Sequence, residues 1–143
     1  MSVTTVYTTS AVAVGGRDGN TGTTDGRFDV KLARPKELGG KDDGNNPEQL
    51  FASGYAACFL SSMQFLASQG GGPAVPEDAE VMATVGLGPR SERGLGLVIA
   101  LDITLPGLAR REAQALIEKA HQICPYSNAT RNNVAVKLGL SEA

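Results

Sequence analysis

The order of sequence patterns in this chain predicts an α+β fold, and three observations carry that prediction. β-rich alternating runs stand at residues 3–14 and 28–32, again at 79–87 and 95–105, and finally at 133–140. A helical stretch over residues 46–67 is apolar on nearly every side. A second one, residues 108–123, carries a single apolar stripe. The architecture expected is antiparallel strands packed with a long buried central helix and a second, amphipathic helix. The 143 residues suffice for one domain, 1–143, with its own core and without disulfide staples.

Each element has its reason. Residues 3–14 are rich in Val, Thr and Tyr, and the run from Gly15 to Asn20 is a long turn signal after them. Phe28, Val30 and Leu32 alternate with polar residues, and a shorter strand around Thr23 and Thr24 would complete an antiparallel meander. Residues 34–46, with Pro35, Gly39, Gly40 and Gly44, form a surface loop leading into the central helix. Asn46 is a preferred N-cap, Pro47 suits the first turn, and Glu48 complements the positive end of the helix dipole. Gly70-Gly71-Gly72-Pro73 ends that helix. Between these signals Leu50, Phe51, Tyr55, Ala57, Phe59, Leu60, Phe65 and Leu66 point to different sides, so the helix is expected to be buried almost all round, with Cys58 inside the protein or at a subunit contact.

Residues 88–94 suit a hairpin loop between two longer strands, and Leu97, Ile99, Leu101, Ile103 and Leu105 share one face of the second. Ala113, Leu116, Ile117, Ala120, Ile123 and Cys124 repeat at helical spacing as one buried stripe. Pro125 biases Cys124 away from the α region and ends the second helix there. Val134, Val136 and Leu138 mark a last strand.

Composition narrows the partners. A net charge of −2 with scattered Lys and Arg offers no stripe for nucleic acid, and no apolar run reaches the roughly 18 residues of a membrane span. The N-terminal residues lack the charged-then-apolar pattern of a signal peptide, so the expected location is cytoplasmic. In that reducing setting two cysteines are reactive, metal-binding or simply buried rather than a structural staple.

Cys58 lies far from the first turn of its helix, so the dipole does little for its ionisation, and some other cation would have to stabilise a thiolate. Arg17, in a glycine-flanked turn, could be that cation, held by Glu48 at the helix start in a two-pronged grip. Taken singly, each has a plain structural reading: a small buried hydrophobe, a solvated turn residue, a dipole partner. His121, three residues before Cys124, could join both cysteines in a three-ligand metal site, but an H-x-x-C pair is a weak signal.

The segment Asn46-Pro47-Glu48-Gln49-Leu50-Phe51-Ala52-Ser53-Gly54-Tyr55-Ala56-Ala57-Cys58-Phe59, with Cys124-Pro125-Tyr126-Ser127-Asn128-Ala129-Thr130 far downstream, closely resembles the organic hydroperoxide resistance proteins (Ohr) of the Ohr/OsmC superfamily. Gly15-Gly16-Arg17-Asp18-Gly19 and Pro35-Lys36-Glu37-Leu38-Gly39-Gly40 resemble them too, so the likeness spans nearly the whole chain. Gly54-Tyr55 and the Pro-Tyr-Ser-Asn after Cys124 resemble Ohr rather than its OsmC sister group, while Asn132 stands where glycine is expected.

The resemblance implies an OsmC-like fold in an intertwined homodimer, and a thiol peroxidase acting on organic hydroperoxides without a cofactor or metal. By it, Cys58 would be the peroxidatic and Cys124 the resolving cysteine, with Arg17 and Glu48 polarising thiolate and peroxide. Phe51, Tyr55, Phe59 and Tyr126 would contact an apolar substrate, with Leu60 among the apolar neighbours, and a dihydrolipoyl group or lipoylated protein would be the reductant. One inference is geometric. Glu48 and Cys58, ten residues apart, would be roughly 15 Å apart along a straight helix. A two-fold dimer sharing its sites, or a bend in the helix, would close that gap. The rival readings are an OsmC-type peroxidase of different substrate breadth, a non-catalytic dimer binding a hydrophobic ligand, and a metal-binding protein.

Overall fold

Backbone pairing in the computed structural model, which describes residues 2–141, resolves the chain into two compact units that meet between Leu50 and Phe51. Of the domain expected over 1–143, Met1, Glu142 and Ala143 lie outside the described residues. Among the described residues there are three α-helices and two three-stranded sheets, a mixed α+β composition.

The first unit holds strands β1 (Ala11–Val14), β2 (Asn20–Thr23) and β3 (Asp29–Lys31) in the order β1-β2-β3, antiparallel throughout, with Ala11 opposite Thr23 and Asn20 opposite Lys31. This is the expected meander. The strand expected over residues 3–14 is shorter, because β2 offers only four residues to pair with, and the last backbone bond beyond them runs from the Thr24 N–H to the Ser10 carbonyl. A 3-10 turn, Gly16–Asp18, joins β1 to β2, and a Cβ on Gly19 would collide with the Val14 carbonyl, so the tight return there requires glycine.

Helix α1 (Pro47–Ser68) is continuous over 22 residues, and its ends are closed as the sequence announces. The Gln49 N–H donates to Asn46 Oδ1 at 2.9 Å while the Asn46 N–H donates to Gln49 Oε1 at 3.1 Å, a reciprocal capping pair. At the other end Gly70 takes φ 72°, its N–H reaches the Ala67 carbonyl, and the Gly71 N–H reaches that of Leu66, which satisfies the last carbonyls in a Schellman arrangement.

In the second unit β4 (Glu80–Pro89) and β5 (Leu95–Thr104) form the expected hairpin. The chain then crosses through α2 (Arg110–Ile123) and α3 (Pro125–Thr130) before β6 (Val136–Ser141) runs parallel to β5. Tyr55, Phe59 and Met63 of α1 join Ile99, Leu101 and Ile103 of β5 and Ala113, Leu116, Ile117 and Ala120 of α2 in one core. Asn132 sits in the connection to β6 with φ 64°, the left-handed conformation that asparagine tolerates next best after glycine.

Four expectations change. Only Tyr55, Phe59, Ser62 and Met63 of α1 are fully buried, one stripe rather than the whole circumference, and Phe65 is 57% exposed. By length and composition α1 is also long and apolar enough to cross a membrane, since its polar residues are few and mostly small. Its Tyr55, Phe59 and Met63 nevertheless belong to a protein core. Ile123, expected in the buried stripe of α2, is 43% exposed at the helix end. The last strand begins at Val136, not Asn133, because α3 and the Asn132 turn take up the preceding residues.

The capping pair yields a stability prediction. Asn46→Ala removes the side-chain acceptor of the Gln49 N–H at the start of α1 and should cost about 1 kcal/mol, read as a lower denaturant midpoint with an unchanged slope.

Candidate active site

Two clusters of chemically capable side chains emerge, one in each unit. In the first, Arg17 leaves the 3-10 turn after β1 and meets Glu48 in the first turn of α1. Nη1 donates to Oε2 at 2.8 Å and Nη2 to Oε1 at 2.7 Å, the two parallel bonds of a guanidinium–carboxylate fork. The Glu48 side chain is 15% exposed and that of Arg17 35%. The hydrogen bonds from Arg17 hold the Glu48 carboxyl below the usual carboxylate range against the opposing effect of burial, and the same contact keeps the guanidinium protonated. The neighbouring Asp18 is drawn to Arg34, accepting its N–H at 3.0 Å and its Nε–H at 2.7 Å, so both charged residues of the turn are tethered.

In the second unit the sulfurs of Cys58 and Cys124 lie 3.7 Å apart, both as free thiols, with Cys124 as donor. Cys58 sits on the flank of α1 beside the buried stripe, half-buried. Cys124, fully buried, is in extended conformation at the joint of α2 and α3, φ −62° and ψ 125°, where Pro125 places it. Burial is the main influence on the Cys58 thiol and pushes it up, and the Cys124 thiol adds to that. A backbone hydrogen bond from Tyr126 works in the opposite direction. Cys58 opens on a cleft of about 340 Å³ lined by Ser61, Ser62, Phe65, Ile123 and Pro125.

The four candidate substrate residues fall in different places. Phe51 and Tyr126 line an apolar cleft of about 460 Å³ with Leu97, Ile99 and Val134. Tyr55 and Phe59 are both 0% exposed, since their i, i+4 spacing places them on the stripe that joins the core. Phe51, Tyr55 and Tyr126 form a three-ring cluster with centroids 5.6 to 6.1 Å apart. The residues around Cys58 that sequence reasoning missed are Phe65 and Ile123. Both read as core by composition, and no pattern marks an apolar side chain left beside a sulfur.

His121 does not turn toward the sulfurs as a ligand. Its Nδ1 lies 2.8 Å from Ser127 Oγ, and among the described residues no three His, Cys, Asp or Glu groups are placed to hold a metal. Burial, then Arg131, pushes the His121 pKa down.

The comparisons with known proteins agree with one another. Residues 40–139 match the family model of the OsmC-like proteins. An organic hydroperoxide resistance protein of Xanthomonas axonopodis pv. citri is 47% identical over 137 residues, covering 95% of each chain. A crystal structure of an organic hydroperoxide resistance protein from Legionella pneumophila superposes with a TM-score of 0.89 at 47% identity, over 96% of this chain and 99% of that one. A Vibrio cholerae structure described as a putative organic hydroperoxide resistance protein, with captopril bound in one of its active sites, gives 0.91 at 41% identity, over 98% and 95%.

The Arg17–Glu48 fork has a measurable signature. A carboxyl held below its unfolded value lends stability that is fully present above the unfolded value and is lost as pH falls through the folded one. Glu48→Gln should therefore lower the denaturant midpoint at neutral pH and flatten its decline under acid, in a pH series of unfolding curves.

Proposed function

The chain belongs to the organic hydroperoxide resistance proteins of the OsmC-like family, and from that premise we propose that it is a thiol-dependent peroxidase reducing organic hydroperoxides to alcohols. The observation that carries this reading is the 3.7 Å approach of two free thiols 66 positions apart in sequence, one open to an apolar cleft and the other buried behind it. Such a pair suits a cycle in which the outer sulfur is oxidised and the inner one resolves it.

In this cycle the Cys58 thiolate attacks the distal oxygen of ROOH, the O–O bond breaks, and the alkoxide takes a proton and leaves as ROH. Cys58 is then a sulfenic acid. The Cys124 sulfur attacks the Cys58 sulfur, expelling the hydroxyl as water, and a disulfide replaces the two thiols. The sulfurs have only to close from 3.7 Å to about 2 Å for this bond. A dithiol returns the pair to the reduced state through a mixed disulfide and is itself oxidised. A dihydrolipoyl group, free or on a lipoylated protein, is the reductant proposed, and the cytoplasm the place of action.

Burial raises the Cys58 thiol, so the thiolate needs a cation to be populated at neutral pH. Arg17, oriented by Glu48, is the cation proposed, stabilising first the thiolate and then the negative charge that develops on the leaving oxygen. The arrangement proposed is a homodimer in which Arg17 and Glu48 of one chain serve Cys58 and Cys124 of the other. The unbroken course of α1 favours sharing over a bend, and the apolar side chains it leaves exposed, Phe65 foremost, favour a partner. Phe51 and Tyr126 form an apolar wall for the alkyl part, with Tyr55 and Phe59 supporting it from the core.

Two measurements test the proposal. One equivalent of an alkyl hydroperoxide should produce a two-dalton loss linking Cys58 to Cys124 by mass spectrometry, and an unlinked protein would refute the cycle. Mixing Cys58→Ser chains with Glu48→Ala chains should recover part of the peroxidase turnover, because a shared site leaves one intact pocket in each heterodimer. No recovery speaks for sites within one chain.

A further inference from the structure

The proposed cycle gives the leaving oxygen one hydrogen-bond donor, the Arg17 of a partner chain. The cleft in front of Cys58 holds another that the cycle does not use. Five residues line that cleft with the cysteine, and three of them, Phe65, Ile123 and Pro125, have no side-chain donor. Ser62 is buried and spends its hydroxyl on the Cys58 carbonyl at 2.9 Å. That leaves Ser61. It is exposed, and among the described residues its hydroxyl has no hydrogen-bond partner.

Position along the helix gives this hydroxyl its relation to the sulfur. α1 is unbroken from Pro47 to Ser68, so Ser61 stands one turn beyond Cys58 on the same side, with the two Cβ atoms about 5–6 Å apart. A hydroperoxide set in line with the sulfur puts its attacked oxygen next to Sγ and its departing oxygen one O–O bond further out, a span that this gap accommodates. The alkyl group then continues against Phe65, Ile123 and Pro125. Helix stability does not account for a serine here, since alanine is the better helix former at a water-facing position.

We propose that Ser61 is a catalytic hydrogen-bond donor to the departing oxygen of the hydroperoxide. The Cys58 thiolate bonds to the distal oxygen as the O–O bond breaks, and the electron pair of that bond collects on the oxygen attached to the alkyl group. The Ser61 hydroxyl donates to this oxygen as its charge grows. The alkoxide takes its proton from water and leaves as ROH, so the serine ends the step unchanged. A donor aimed at an oxygen that is neutral before the reaction and anionic during it stabilises the second state more than the first. The inference rests on the peroxidase reading.

The test compares two peroxides whose departing oxygens differ in basicity. Reduced full-length protein is mixed with tert-butyl hydroperoxide or with peracetic acid, quenched and alkylated, and the loss of free Cys58 thiol in a single turnover is followed by peptide mass spectrometry. tert-Butoxide is a strong base that needs the donor, whereas acetate is stable without it. Ser61→Ala should therefore slow oxidation by tert-butyl hydroperoxide by about tenfold or more, the lower end of what one hydrogen bond to a charged group is worth, and leave the peracetic acid rate near that of the parent. Ser61→Thr, which keeps the hydroxyl, should retain most of the tert-butyl hydroperoxide rate. Alkylation of Cys58 by iodoacetamide, in which no oxygen departs, should be the same in Ser61→Ala as in the parent, and this variant should fold at least as stably. A parent-like tert-butyl hydroperoxide rate in Ser61→Ala, equal slowing with both peroxides, or an equal fall in alkylation would overturn the inference while leaving the peroxidase reading in place. A parent protein that consumes neither peroxide would overturn both.

Discussion

A thiol on the flank of a core helix is in a poor medium for ionising, and the second unit is best understood around that cost. Cys58 is half out of water, its strongest influence is desolvation, and the sulfur of Cys124 beside it pushes the same way. Within the unit a backbone hydrogen bond from Tyr126 works in the opposite direction, and the short helix α3 that carries Tyr126 packs so close to α1 that a Cβ on Gly54 would stand 2.7 Å from Tyr126 Oη. Placing the sulfur at the surface would remove the desolvation but would also expose any sulfenic acid to other thiols and further oxidation. In the proposed cycle, a sheltered sulfur with a second one in contact would trade ease of ionisation for control of the product.

Helix α1 carries residues of both side-chain clusters while packing through one stripe. Its first turn offers Glu48 to Arg17, its middle presents Cys58, and Tyr55, Phe59 and Met63 anchor it to β5 and α2. Because those three anchors recur every four residues, the positions between them are free to carry function. Gly54 gives Tyr126 room, Cys58 carries its free thiol on the flank, and Ser62 returns its hydroxyl to the Cys58 carbonyl at 2.9 Å, which keeps a buried polar atom satisfied.

Local chemistry was legible in the sequence wherever a residue type has one conformational use. Asn46 and Pro47 at the start of α1, the glycines that end it, Pro125 after Cys124 and the alternation of β5 all appear as read, and so does the Arg17–Glu48 fork. Relations between elements were harder to read. Nothing in the residues of β6 encodes whether it runs parallel or antiparallel to β5, since alternation has no direction. α3 is six residues long, too short for a helical period to show. The apolar circumference of α1 tells that its faces avoid water, not which of them this chain covers. For the same reason Tyr55 and Phe59 looked as available to a substrate as Phe51, although one step along a helix turns a side chain by about 100°.

Cys124 belongs to neither of the helices it joins. Its N–H is nevertheless tied to the Ala120 carbonyl and its carbonyl to the Asn128 N–H, so its sulfur moves by the side-chain torsion while the ladders on either side stay intact. Of the two sulfurs, then, one is mounted on a beam and the other on an elbow, and in the proposed cycle the making and breaking of a covalent link between them would be a motion of the side chain at the elbow, one that the long helix need not register.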